Sequence, residues 1–267
     1  MKKQHILFIG AGRMAEAIFS GLMKRSSDYI ASITITNQSN ISRLQAMQEK
    51  YGVNITTNWR SNINDADVII LAVPPEAHNS LLLELSQLLT NQFVITIAAG
   101  IGPSYLEKHL PNQIPVAWIM PNTAAIVGES MSLYTLGSKA KENHMEVLQM
   151  ILKGIGSAEE CTEEEIHQLT AVTGSAPAFV YYFAESLIKT TKELGISQEK
   201  AKQLIIQMIY GSAAMLREEQ DPALLREQVT TPGGSTAEGL RVLYEKQFSS
   251  VLQKAISATN EKARKLR

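Results

Sequence analysis

Near its start the chain sets an apolar run, His5 to Ile9, directly against Gly10-Ala11-Gly12-Arg13-Met14-Ala15, and follows it with a helical pattern reaching Arg25. Glycine, glycine and a small residue in GxGxxA spacing, between a strand and a helix, form the fingerprint of a dinucleotide-binding βαβ fold. Each position has a physical reason. Gly10 permits the tight turn, Gly12 lets the backbone approach a pyrophosphate, and Ala15 is small enough for the helix to pack on the strand. Phosphates would meet free N–H groups at the helix N-terminus. Gly10, Ala11, Gly12, Arg13 and Met14 are therefore candidate cofactor-binding residues.

The next 130 residues or so repeat the alternation of β-rich runs with helical patterns. ASITITN precedes ISRLQAMQEKYG, ADVIILAV precedes HNSLLLELSQLL, and QFVITIAAG precedes SYLEKHL; VAWIM and SLYTL supply later strands. Val68 to Val73 and Phe93 to Ala98 are apolar without a break, as strands covered on both faces should be. After Cys161 the β-rich runs stop. The chain thus reads as α/β: an N-terminal Rossmann-type dinucleotide-binding domain over 1–160 and an all-helical C-terminal dimerisation domain over 161–267. Thr162 with Glu165, and Ser235 with Glu238, have capping-box spacing and predict helix starts. Ala176, Phe179, Val180, Phe183, Leu187 and Ile188 share one helical face, and Leu204, Ile205, Met208, Ile209, Ala213 and Leu216 share another. Both faces are expected to be buried, in part against a second subunit, because so small a helical set cannot cover them alone.

Composition narrows the function classes. Of 267 residues, 25 are Lys or Arg and 26 Asp or Glu, a formal charge of -1, so no global basic field draws nucleic acid or anionic lipid. The single cysteine, Cys161, forms no intramolecular disulfide and suits a reducing compartment. No apolar run approaches the ~20 residues of a membrane span, and no secretory signal stands at the start. A cytoplasmic protein is expected. His5, His78, His109, His144 and His167 lie without metal-ligand spacing, read as surface or helix positions, and no metal is expected. Ser175 lacks the elbow context of a hydrolase nucleophile. Met14, Met208 and Met215 read as core packing, and Glu163 to Glu165 as a solvated first helical turn.

The end of the second strand decides which dinucleotide is preferred. NAD enzymes place an acid there against the ribose 2′-hydroxyl. This chain has Thr36-Asn37-Gln38-Ser39-Asn40 instead, with Arg43 the nearest cation. A 2′-phosphate is not repelled, so NADPH is favoured over NADH, with Asn37 and Gln38 as candidate contacts.

Met120-Pro121-Asn122-Thr123, Thr173-Gly174-Ser175-Ala176-Pro177-Ala178 and Thr230-Thr231-Pro232-Gly233-Gly234-Ser235-Thr236 follow the N-terminal fingerprint and the stretch Ile97 to Ile101. Together, in this order and at these spacings, they resemble pyrroline-5-carboxylate reductases almost end to end. The resemblance implies a Rossmann domain followed by a helical domain that interlocks with a partner subunit: a homodimer, with a ring of dimers left open. It also implies NAD(P)H-dependent reduction of the cyclic imine 1-pyrroline-5-carboxylate. Ala72, Val73, Pro74, Ala98, Ala99, Gly100 and Asn122 would then join the cofactor site. Thr231, Gly233, Gly234, Ser235 and Thr236 would hold the substrate, with the Thr236 hydroxyl facing the ring nitrogen as the catalytic group. Free N–H groups where the PGG loop enters a helix suit a carboxylate. The alternative from the residues alone is that Thr231, Ser235 and Thr236 only cap that helix.

The chain departs from the family at three places. Pro74 stands where the family has lysine, Ala117-Trp118 where it has arginine, and Trp59 near its adenosine-side asparagine, a place neighbouring Asn58 would have to fill. Two cations are thereby absent from the cofactor half, which leaves a non-catalytic dinucleotide-binding paralogue, or a reductase of the six-membered cyclic imine acid, as alternatives.

Overall fold

A computed structural model describes residues 2–264. Eight strands form one sheet in the order β3-β2-β1-β4-β5-β6-β7-β8. They are β1 (Gln4–Ile9), β2 (Ile30–Thr36), β3 (Asn54–Thr56), β4 (Val68–Leu71), β5 (Phe93–Thr96), β6 (Val116–Met120), β7 (Ser130–Leu136) and β8 (Gly156–Glu160). All neighbours run parallel except β6 and β7. The helices between them are α1 (Arg13–Arg25), α2 (Ile41–Tyr51), α3 (His78–Leu85), α4 (Pro103–His109) and α5 (Glu142–Ile155). The strand order reverses between β1 and β4, the switch point at which an open α/β sheet forms its ligand crevice.

Alternation builds the two faces. Ile6, Phe8, Ile70, Phe93 and Ile95 point into one cluster with Ile18, Phe19, Leu44 and Leu148. Leu7, Ile9, Ile69, Leu71 and Val94 point into another with Leu82, Leu85 and Leu106. A sheet covered on both sides is what the unbroken apolar runs require. Two strands carried no signal: β3 is a three-residue edge, and β8 (Gly156–Glu160) has Ala158 as its single apolar side chain.

Strands end at Glu160. By contacts the chain divides at Ser175 and Ala176, with the residues from Asn260 onward grouped with the first unit. Helix α6 (Glu163–Thr170) and a π-turn at Ala171–Ser175 therefore belong to the Rossmann unit, although the sequence reading placed them with the helical domain. The Thr162–Glu165 capping box is formed. Glu163 is not merely solvated: it accepts from the Ser104 amide (3.0 Å) and hydroxyl (2.6 Å), tying α6 to the start of α4.

The second unit, Ala176–Thr259, holds α7 (Pro177–Glu193), α8 (Gln198–Glu219), α9 (Pro222–Gln228), α10 (Ser235–Glu245) and most of α11 (Phe248–Arg264). Within one chain the two apolar faces stay largely open, so their expected burial is left to a second subunit. No residue of α7 is buried and only Ala201 of α8 is, while Val180, Phe183, Leu204, Met208 and Leu216 are about half exposed. Met208 and Met215 are accordingly not core residues of the single chain, whereas Met14 does pack against the core. Among the described residues no helix is long and apolar enough to cross a membrane.

Candidate active site

In the first unit, the loops after β1, β4 and β5 converge at the switch point. The Ala72 amide donates to the Ile9 carbonyl (2.9 Å) and the Ile97 amide to the Leu71 carbonyl (3.2 Å), so the three strand ends are stitched together. Gly10, at φ 111°, presses against the Ala72 carbonyl, and any side chain there would strike that backbone. Gly12 is different: a Cβ on it would meet no protein atom within 4 Å. Its backbone, at φ -73° and ψ 179°, suits any residue, so neither packing nor conformation of this chain calls for glycine. Room for a close ligand does. Gly12 is also the N-cap of α1 and provides no side-chain cap, leaving the first turn's N–H groups to a ligand. The residues fit a dinucleotide pyrophosphate.

The turn after β2 is built differently from the expectation. Asn37 Oδ1 accepts from the amides of Ser39 and Asn40, both 3.0 Å, and Asn40 caps α2 through the Arg43 amide (2.9 Å). Arg43 does not stand free for a phosphate: Nε donates to the Ala11 carbonyl (2.6 Å) and Nη2 to Glu16 (3.0 Å). Burial alone would raise the Glu16 carboxyl. The Tyr51 hydroxyl, Lys50 and Arg43 outweigh it and hold the group below its ordinary range. Nothing in the sequence pairs Glu16 with Arg43; only the packing of α1 beside α2 does. Gln38 is exposed.

Pro74 is exposed after β4, with Ala72 and Val73 half-buried; Ala98 is buried, Ala99 exposed and Gly100 half-buried after β5. The Asn122 amide has two protein partners, accepting from the Ala124 amide (3.0 Å) and donating to the Thr173 carbonyl of the π-turn (3.0 Å). It braces one motif of the sequence against another. Trp118 is fully buried against Leu133 and Ile166, its ring 4.9 Å from that of His167. Trp59 is buried as well, and Asn58 spends its side chain on the Arg60 amide (3.2 Å). Both tryptophans are thus core residues, while Asn58 is exposed and uses only its Oδ1 in this contact.

Two of the histidines expected at surface or helix positions lie in helices, α3 and α5, and both are held by hydrogen bonds. His78 is fully buried, with partners on both ring nitrogens, and His144 Nδ1 accepts from the Lys141 amide (2.9 Å) at the start of α5. The signal for His78 was faint: a polar ring four residues after Pro74, opposite the only polar residue of β5.

In the second unit, the expected Ser235–Glu238 capping box is not formed. Gly234 is the N-cap of α10, no side chain caps the helix, and Glu238 turns to Arg241 instead. The loop before it is closed by the Gly234 amide donating to the Thr231 carbonyl (2.9 Å), with Gly233 at φ 72°, where glycine fits without strain. Ser235 and Thr236 occupy the first helical positions and are exposed. Helix-capping therefore does not account for these hydroxyls. The N-terminus of α10 presents N–H groups and the positive end of its dipole, a setting for a carboxylate.

Comparison with known proteins places a boundary at 163, ahead of α6, rather than at the contact division after Ser175. A family model described as pyrroline-5-carboxylate reductase dimerisation matches residues 163–266, and one described as NADP oxidoreductase coenzyme F420-dependent matches 5–100. A pyrroline-5-carboxylate reductase of Staphylococcus aureus is 34% identical over 260 residues, spanning 97% of this chain and 96% of that one. Pyrroline-5-carboxylate reductase 1 of Bacillus subtilis is 32% identical over 266 residues, spanning 99% of this chain and 90% of the relative. The solved pyrroline-5-carboxylate reductase of Coxiella burnetii superposes with a TM-score of 0.88 at 31% identity over 99% of each chain. The Plasmodium falciparum pyrroline carboxylate reductase, solved with NADP bound, gives 0.89 at 27% identity over 100% of this chain and 99% of that one. With a fingerprint turn shaped for a dinucleotide, an uncapped PGG helix start, and this identity maintained over nearly every residue, the chain belongs to the pyrroline-5-carboxylate reductase family.

Proposed function

We propose that this protein reduces 1-pyrroline-5-carboxylate to proline with NADPH as the favoured donor, acting as a homodimer. The observation that carries the reading is the start of α10, where Gly234 leaves the helix N-terminus uncapped beside exposed Ser235 and Thr236. The N–H groups there and the Gly233-Gly234 loop receive the substrate carboxylate, with Thr231 shaping the loop. The Thr236 hydroxyl hydrogen-bonds the ring nitrogen and supports its protonated form, because an iminium carbon accepts hydride far better than a neutral imine. When bound, the reduced nicotinamide supplies that hydride. Gly10 to Met14 hold its pyrophosphate, and the loops at Ala72 to Pro74 and Ala98 to Gly100, together with Asn122, line the cofactor site. Asn37 and Gln38 receive the 2′-phosphate, on a turn that Arg43 holds through the Ala11 carbonyl and Glu16.

Purified protein mixed with pyrroline-5-carboxylate and NADPH or NADH tests this through the absorbance of reduced nicotinamide. Turnover with a higher kcat/KM for NADPH is expected. No turnover with either donor, despite measurable dinucleotide binding, would leave a non-catalytic paralogue. Faster reduction of the six-membered cyclic imine acid would reassign the substrate.

A further inference from the structure

His78 opens α3 and is fully buried between two loops of the dinucleotide site. Its Nδ1 lies 3.1 Å from the Pro74 carbonyl, after β4. Its Nε2 lies 3.2 Å from Thr96 Oγ1, at the end of β5, and that same oxygen accepts from the Ala98 amide (3.2 Å). Elementary donor rules fix every proton in the chain. A carbonyl only accepts, so Nδ1 carries the hydrogen. In the neutral ring Nε2 is then an acceptor, so the Thr96 hydroxyl donates to it while accepting from Ala98. Burial favours this neutral form and holds the imidazole below the usual histidine range, against the Pro74 and Pro75 carbonyls and the Glu76 carboxylate. The result is one directed path, Ala98 to Thr96 to His78 to Pro74, crossing between adjacent strand ends.

We propose that His78 and Thr96 are positioning residues that set the separation of the Ala72–Pro74 and Ala98–Gly100 loops for the dinucleotide. The proposal rests on the reading that these loops hold NADPH. It assigns a reason to a buried imidazole that packing alone does not need, since a leucine would fill a similar volume with no polar atom to satisfy. Breaking the path releases one loop from the other and leaves a buried amide or ring nitrogen without a partner.

The test compares Thr96→Val, Thr96→Ser, His78→Leu and the Val/Leu double variant by NADPH fluorescence titration, steady-state kinetics and thermal melting. Thr96→Val keeps the shape and removes the hydroxyl. It should raise the NADPH Kd and KM roughly five- to tenfold, with the KM for the imine acid unchanged. Thr96→Ser, which keeps the hydroxyl, should bind close to wild type. Because both residues serve one path, the double variant should weaken binding little beyond either single change. Thr96→Val binding NADPH like wild type, with only a lowered Tm, would overturn the proposal even if His78→Leu failed to fold. Wild-type protein that bound no dinucleotide would overturn the functional reading and this proposal together, so the two failures are told apart by the wild-type titration.

Discussion

Thr236 separates two roles open to a hydroxyl at a helix start. A cap contributes about 1 kcal/mol of stability, whereas a hydrogen-bonding or proton-donating group at the reacting nitrogen contributes about a hundredfold or more in rate. Since α10 has no side-chain cap, Thr236→Ala should lose roughly a hundredfold in kcat with little change in Tm. Thr236→Ser should retain most of both. Normal turnover in Thr236→Ala would move the assignment to Thr231 or an ordered water. Arg43 poses a similar choice, being bound to Glu16 and to the Ala11 carbonyl of the phosphate turn. If it also meets the 2′-phosphate, Arg43→Ala should raise the KM for NADPH about tenfold and that for NADH much less. Equal increases would mean that it only braces the turn.

Strand β6 shows how an element reassigns a residue. The missing arginine near position 118 reads in sequence as a cation lost from the cofactor half. Alternation along β6 instead sends Trp118 under α6, where it is 0% exposed and packed with Leu133, Ile166 and the His167 ring. Restoring the family residue by Trp118→Arg would bury an unpaired charge in that cluster. The expected outcome is a loss of ~3 kcal/mol or more, seen as a sharply lowered Tm, with no tighter dinucleotide binding. A stable Trp118→Arg protein with improved NADPH affinity would show that β6 can turn this side chain toward the cofactor. Helix α6 makes the same point: Glu163 has the look of a solvated acid in a capped first turn, yet it holds the Ser104 amide and hydroxyl across 59 residues of chain.

For the whole molecule, the unsatisfied feature is the exposed apolar surface of α7 and α8, including Tyr182 at 71%, Ile206 at 60% and Phe183 at 50%. A surface of that kind on helices matching a dimerisation family calls for a partner copy. Sedimentation at micromolar concentration should show a dimer or a ring of dimers, and Phe183→Glu should shift it toward monomer with lowered activity. A wild-type monomer that remained monodisperse would sink the dimer assignment.

Local rules were enough for the β-rich runs of β1, β2, β4, β5, β6 and β7, the GxGxxA turn, the Thr162 cap and the PGG loop, because strand propensity, turn geometry and capping depend on residues a few positions apart. They missed β8, whose polar residues form a strand only because β7 offers a free edge to pair with. They also left open what covers Met208 and Met215, since apolar periodicity marks a face to be covered without saying whether the same chain covers it. The Arg43–Glu16 pair, the Asn122–Thr173 brace and the His78–Thr96 path join residues 27, 51 and 18 positions apart. Such contacts follow from which strand ends and helices the sheet order brings together, and that order exists only in the folded chain.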